Sequence, residues 1–170
     1  MNKEASNNWE LLPATEKNNY IEFHELAYKE DLRHSEKNII DFPRWSIISG
    51  YYAMHDITKL FLAEKFNIKV SSPDIHSKTL DILEQAIIDK KLKEKLLGLL
   101  REAKTTYYNV ERLKERALPI LLRREKQERG KSQYYTQDFN IKTNINAQKS
   151  SYFLDEIVKP YILLIWGLLK

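Results

Sequence analysis

Residues 43–66 read PRWSIISGYYAMHDITKLFLAEKF, and this stretch decides the fold. Stepped at 100° per residue, it places Ile47, Gly50, Tyr51, Met54, Ile57, Thr58 and Phe61 on one face. The opposite face carries Trp45, Ile48, Tyr52, His55, Asp56, Lys59 and Phe66. Pro43 suits a first helical turn, where its missing N–H costs nothing. A helix apolar on one side and half-apolar on the other belongs at the centre of a bundle. Its polar stripe is either chemistry or a satisfied seam between packed helices.

Helical periodicity continues on both sides of this stretch. Residues 1–13 form a lead-in in which Trp9, Leu11 and Leu12 are candidates to dock on the core. Thr15 is placed to cap a first helix over 15–33, with Tyr20, Phe23 and Ala27 at helical steps. Ser35 is expected to cap a turn into NIIDF, and NIKVSSPDIH reads as a loop. A third helix is expected over 75–90, with DKKLKEK as a break or joint. A fourth covers about 93–130, marked by Leu96, Leu99, Leu100, Tyr107, Val110 and Leu113. Pro119 should kink or divide it, and Gly130 is a suitable stop. Residues 131–149 lack helical periodicity and read as a long loop, which in a compact domain usually has a binding task. Ser150 or Ser151 is expected to cap a last helix to Leu169, bent at Pro160. The expected fold is all-α: an up-and-down bundle of four to five helices with a long loop before the C-terminal helix. It forms one domain over 1–170, with a core bundle at 15–130, the loop at 131–149 and the last helix at 150–169.

Composition narrows the chemistry. The chain has 170 residues, four glycines and five prolines, which favours helices over a turn-rich β fold. It has no cysteine, so disulfides, thiolate catalysis and cysteine-ligated zinc are excluded. The four histidines, 24, 34, 55 and 76, form no HxxxH or HExxH pair, so no metal or other cofactor is expected. His24 and His34 read as surface residues. The apolar tract YILLIWGLL at 161–169 is far shorter than the roughly 20 residues a membrane span needs. It is either core or an interface helix, and a cytoplasmic protein without a membrane partner is expected. Net charge is +4; residues 101–131 contain ten Lys/Arg and five Asp/Glu, a local +5 that leaves −1 for the remainder. Such a segment attracts phosphate or simply forms a solvated helix face.

Ser49-Gly50-Tyr51-Tyr52-Ala53-Met54 resembles the S-x-YYAM helix of HEPN-domain proteins. His76-Ser77-Lys78, after the loop, is similar to that family's His-led helix start, and an Arg-containing segment follows the next long helix. The resemblance covers roughly 43–135. It implies a helical bundle, often a homodimer, that associates with nucleotides or RNA. It also implies a minimal nucleotidyltransferase as partner in a toxin–antitoxin pair. Active relatives are metal-independent ribonucleases with Arg, four to six residues, then His. There His exchanges protons with a ribose or leaving oxygen, and Arg clamps the phosphate.

This chain has no such Arg-to-His spacing. Where the family places it stands Arg129-Gly-Lys-Ser-Gln-Tyr134-Tyr135, similar to the ending of a non-nuclease branch. A tyrosine with an ordinary pKa near 10 is a poor base at neutral pH, so a non-catalytic protein is the first expectation. Arg129, Lys131, Ser132 and Tyr134 form the candidate phosphate site, or else a basic helix end complementing the dipole. Tyr52, His55, Asp56 and Lys59 form the candidate acid–base stripe, or else a polar seam at a bundle or dimer interface. Asp56 lies about 100° round the helix from His55, so any partner that orients His55 comes from another helix. His76 is the remaining catalytic candidate, with an interhelical hydrogen bond as its alternative. Three functions stand: an inactive nucleotide- or RNA-binding protein, a ribonuclease using Arg129 with His55 or His76, and a helical protein-interaction module with no ligand.

Overall fold

The structure is a computed structural model that describes residues 9–127 and 145–170, with side chains described up to Glu111 and from Ile145. It is an all-α bundle with a two-stranded antiparallel clip. In order come β1 (Glu10–Leu11), α1 (Ala14–Lys37), α2 (Pro43–Phe66), β2 (Ile68–Lys69), α3 (Ile75–Ala86) and α4 (Lys90–Gln127). A final rod is made of α5 (Ala147–Tyr152), a π-helical segment (Phe153–Val158) and α6 (Lys159–Leu169).

Helix α2 has the boundaries its sequence predicts, with Pro43 in its first turn and Asn67 at its end in the left-handed region at φ 55°. Asparagine tolerates that conformation and ends helices for that reason. The helix is enclosed more fully than its sequence implies. Ile47, Tyr51, Ala53, Met54, Ile57, Leu60 and Leu62 are all buried, as are Ile48, His55 and Asp56 from the polar face. It touches every other helical element. Each fully buried Ile, Leu or Met stabilises the fold by about 1.5–3 kcal/mol relative to exposure.

Polar contacts fix the neighbours of α2. Thr58 Oγ1 donates to the Met54 carbonyl at 2.7 Å. Its single proton is thereby committed, so Tyr161 O–H donates to Thr58 Oγ1 at 2.6 Å, pinning α6 to α2. Ser35 is not a turn cap: it lies inside α1, fully buried, and donates to the Ser46 carbonyl at 2.8 Å. Gly50 is needed where α1, α2 and the final rod converge. A Cβ there would stand 3.0 Å from Val158 Cγ2, 3.1 Å from Ser35 Oγ and 3.2 Å from Phe153 Cε1.

Several expected boundaries move. Helix α1 starts at Ala14 after Pro13 and continues to Lys37, so Thr15 is not its cap. Asp89 divides α3 from α4 by accepting the Leu92 N–H at 2.7 Å, which makes DKKLKEK a joint and shortens α3 to Ala86. Helix α4 is not divided at Pro119 but runs on to Gln127. The last rod begins at Ala147 because Asn146, not Ser150 or Ser151, accepts the Lys149 N–H at 2.9 Å. Ahead of Pro160 the rod widens into its π-helical segment. Proline has no N–H for the carbonyl four residues back, and its ring crowds that carbonyl; a wider turn relieves both. The clip was not expected: Glu10 pairs with Lys69 and Leu11 with Ile68, which seats Leu12 in the core while Leu11 stays exposed. The C-terminal tract divides between the two readings, with Tyr161, Ile162 and Ile165 buried and Leu163 exposed.

Candidate functional site

The stripe Tyr52, His55, Asp56 and Lys59 is not one site. The bundle divides it between two neighbourhoods.

On one side, α2, α3 and α4 bring Tyr51, Tyr52, His55, His76 and Tyr107 together. His76 Nδ1 lies 3.2 Å from Tyr51 Oη and 3.2 Å from His55 Nε2. Tyr52 and Tyr107 join through their hydroxyls at 3.2 Å. The Tyr51 and Tyr107 rings stack with centroids 4.4 Å apart, and the His55 ring meets both Tyr51 and His76 edge-on at 4.6 Å. Each aromatic pair of this kind adds about 0.5–1.5 kcal/mol beyond burial. So the partner of His55 does come from another helix, and it is a second imidazole.

Two histidines in contact cannot both be charged. Burial holds His55 well below its ordinary range, and the neighbouring His76, Lys59 and Lys104 push the same way. His76 is lowered by burial and then by Lys59 and Lys104. Geometry sets the tautomers. His55 Nδ1 is buried with no hydrogen-bond partner. A bare acceptor there is less costly than an unmet N–H. The proton of His55 is therefore on Nε2 and faces His76 Nδ1, whose one lone pair is shared between that N–H and the Tyr51 O–H, both at 3.2 Å. His76 carries its own proton on Nε2. Burial raises Tyr51, with the other tyrosines adding to the effect, and burial also raises Tyr107, with the Tyr52 hydrogen bond second. Both phenols stay protonated at any physiological pH.

On the other side, Asp56 faces α1. Its Oδ1 lies 2.8 Å from His24 Nδ1 and 3.3 Å from Lys59 Nζ, with His24 and Asp56 both buried. This corrects the placing of His24 on the surface. His24 and Asp56 are 32 residues apart on different helices, and only packing brings the pair together. A helical signal was present, since His24 follows Tyr20 by four residues on a buried face. His34 is exposed as expected, though its Nδ1 lies 2.6 Å from Ser49 Oγ. Asp31 on α1 is pushed up to about 6, chiefly by burial and then by the charges of Asp56 and Glu30.

Positive charge borders the first neighbourhood. Lys104 on α4 donates to Ser77 Oγ at 3.3 Å and stands 5.9 Å from the ring centroid of Tyr108, which is exposed. Lys59 is tied to Asp56. Tyr107 is buried, so of the Tyr107–Tyr108 pair only Tyr108 offers an open ring. Trp45 is exposed beside the Arg44 guanidinium, 5.8 Å away. Among the described residues, no group of three or more His, Asp or Glu is placed to hold a metal ion, and no helix is long and apolar enough to cross a membrane. Arg129, Lys131, Ser132 and Tyr134 lie outside the described residues.

Compared with protein-family models, with curated proteins and with solved structures, the chain matches none. The HEPN resemblance rests on the residues that carry it.

Proposed function

We propose that this chain is a HEPN-like helical protein that binds RNA or nucleotide phosphate without cleaving it. One observation carries the reading. The residues behind the resemblance, on the YYAM helix and at His76, converge within hydrogen-bonding distance, and Lys59 and Lys104 place positive charge beside them. Tyr108, exposed beside Lys104, adds a ring on which an unpaired base can stack. The basic run over 101–131 extends the attraction, and Arg129 supplies a bidentate phosphate contact in this proposal.

The absence of cleavage follows from the state of the imidazoles. His55 is 2% exposed, so it cannot reach a substrate oxygen. His76 spends its Nδ1 on Tyr51 and His55. What remains is a neutral, partly exposed ring beside two lysines, suited to contact rather than acid–base exchange. By the same resemblance, we take a minimal nucleotidyltransferase as its partner and a homodimer as its working form, with exposed Leu163 and Trp166 of α6 supporting an interface.

Fluorescence anisotropy with a labelled single-stranded RNA, in EDTA and across a salt series, tests this. Binding should weaken as salt rises, with a slope set by the number of phosphates contacted. Arg129→Ala and Lys104→Ala should each weaken it several-fold. No binding at low salt, or binding indifferent to both substitutions, would overturn the proposal. Cleavage of the RNA in EDTA, lost in His76→Ala, would favour the ribonuclease reading instead.

A further inference from the structure

We propose that His76 contacts the RNA phosphate through its Nε2–H, and that Tyr51 and His55 act through it by engaging the other ring nitrogen. The inference rests on the phosphate-binding reading and names the contact that orients the phosphate. His76 stands in the first turn of α3 and is half-buried, so its ring spans core and surface. On the core side, Nδ1 lies 3.2 Å from both Tyr51 Oη and His55 Nε2. His55 Nδ1 is sealed without a partner, which puts the His55 proton on Nε2, facing His76. A proton on His76 Nδ1 would then oppose that N–H, so this nitrogen presents its lone pair and the Tyr51 O–H turns to it as well. Two side chains that stay inside the core thus decide which nitrogen of His76 carries the proton outward.

On the surface side, Nε2 hydrogen-bonds to no described residue, and it is not shut off from solvent as His55 Nδ1 is. The next residue, Ser77, is exposed, and its Oγ accepts from Lys104 at 3.3 Å, which leaves the Ser77 O–H to donate. From α2 the His76 ring faces Tyr51, Tyr52, His55 and Lys59; from α4 it faces Tyr107 and Lys104. The charges that act on it, Lys59 and Lys104, are both positive. An N–H, an O–H and an ammonium along one edge suit the oxygens of a phosphate. The imidazole contributes as a neutral donor. A second proton would have to enter at Nδ1, against the Tyr51 O–H and the His55 N–H that already point there.

The test reads the histidine nitrogens and the affinity of the full chain. In NMR of the side-chain nitrogens at about pH 7.5, above the ordinary imidazole range, His55 and His76 should both show the Nε2–H form. Single-stranded oligouridine should shift His76 Nε2 more than any other histidine nitrogen. By anisotropy with the same RNA, labelled, His76→Gln, whose amide N–H stands near the place of Nε2, should bind within about twofold of the parent. His76→Leu and His76→Asn place no donor there and should each lose about tenfold, the size of one hydrogen bond to a charged group. Affinity should stay within about twofold between about pH 6.5 and pH 8, because the contact takes up no proton. A proton on His76 Nδ1, affinity unchanged in His76→Leu, or a rise toward pH 6.5 that His76→Gln removes would overturn this inference and leave RNA binding standing. No binding by the parent would overturn the phosphate reading, and this contact with it.

Discussion

Residues 55 and 56 are consecutive on one helix, yet they serve opposite chemistries. His55 turns toward α3 and α4, where its partner is another imidazole and the nearby charges are lysines. Everything there favours neutral rings. Asp56 turns toward α1, where its carboxylate meets the His24 imidazole, and the same oxygen accepts from Lys59 one turn along α2. The difference lies in what each neighbouring helix presents. A 100° rotation about α2 exchanges a neutral aromatic cluster for a buried carboxylate held by an imidazole and an ammonium, so a polar stripe read as one unit is two.

The comparison predicts unequal costs of removal. Asp56→Ala leaves the buried His24 and the half-buried Lys59 without their carboxylate and should cost about 3 kcal/mol in urea unfolding. His55→Leu removes one hydrogen bond but also an unmet buried acceptor, so its cost should stay below about 1.5 kcal/mol. Equal losses would mean that the two sides are energetically alike, and the contrast would fail.

Acid should separate the sides by the sign of the slope. The His55 and His76 pKa values are lowered in the folded chain. Below the ordinary value of about 6.5 the unfolded chain binds protons that the folded chain refuses, so stability falls as pH drops toward the folded values. That acid loss should be visibly smaller in His55→Leu. Asp31 works in the other direction. Its carboxyl is raised from 3.8 to about 6, so its contribution is full below 3.8 and is lost as pH rises to about 6. Asp31→Asn should therefore stabilise the protein above pH 6, by about 1 kcal/mol once solvent screening is allowed for. Thermal melts across pH 4–8 check both, and an Asp31→Asn variant less stable than the parent at pH 7 would contradict the second.

The fold was largely legible because its signal is local. The run 43–66 contains its own periodicity and its N-terminal proline, and the structure places a helix over those same residues. The misplaced boundaries depended on competition between caps. Asn146 displaced Ser150 and Ser151, which sit one turn later, and Ser35 found a buried carbonyl on α2 that no local pattern announces. The candidate site was legible only in part. His55 and His76 were both singled out, and the need for a partner from another helix followed from helix geometry. That each would be the partner of the other depends on how α3 crosses α2. His24 was missed for the same reason: its carboxylate arrives from a different helix, and its own neighbours, Glu22, Phe23 and Glu25, look like a solvated face.

The most direct test of the account is RNA affinity compared between the two sides of α2. Labelled single-stranded RNA is titrated by anisotropy, in EDTA and low salt, into the parent chain, Lys104→Ala and His24→Gln. The predicted result is intact RNA throughout, affinity reduced several-fold by Lys104→Ala, and affinity unchanged by His24→Gln. Equal effects of the two substitutions, or no binding by the parent, would contradict the claim that the imidazole–tyrosine side is the one that meets nucleic acid.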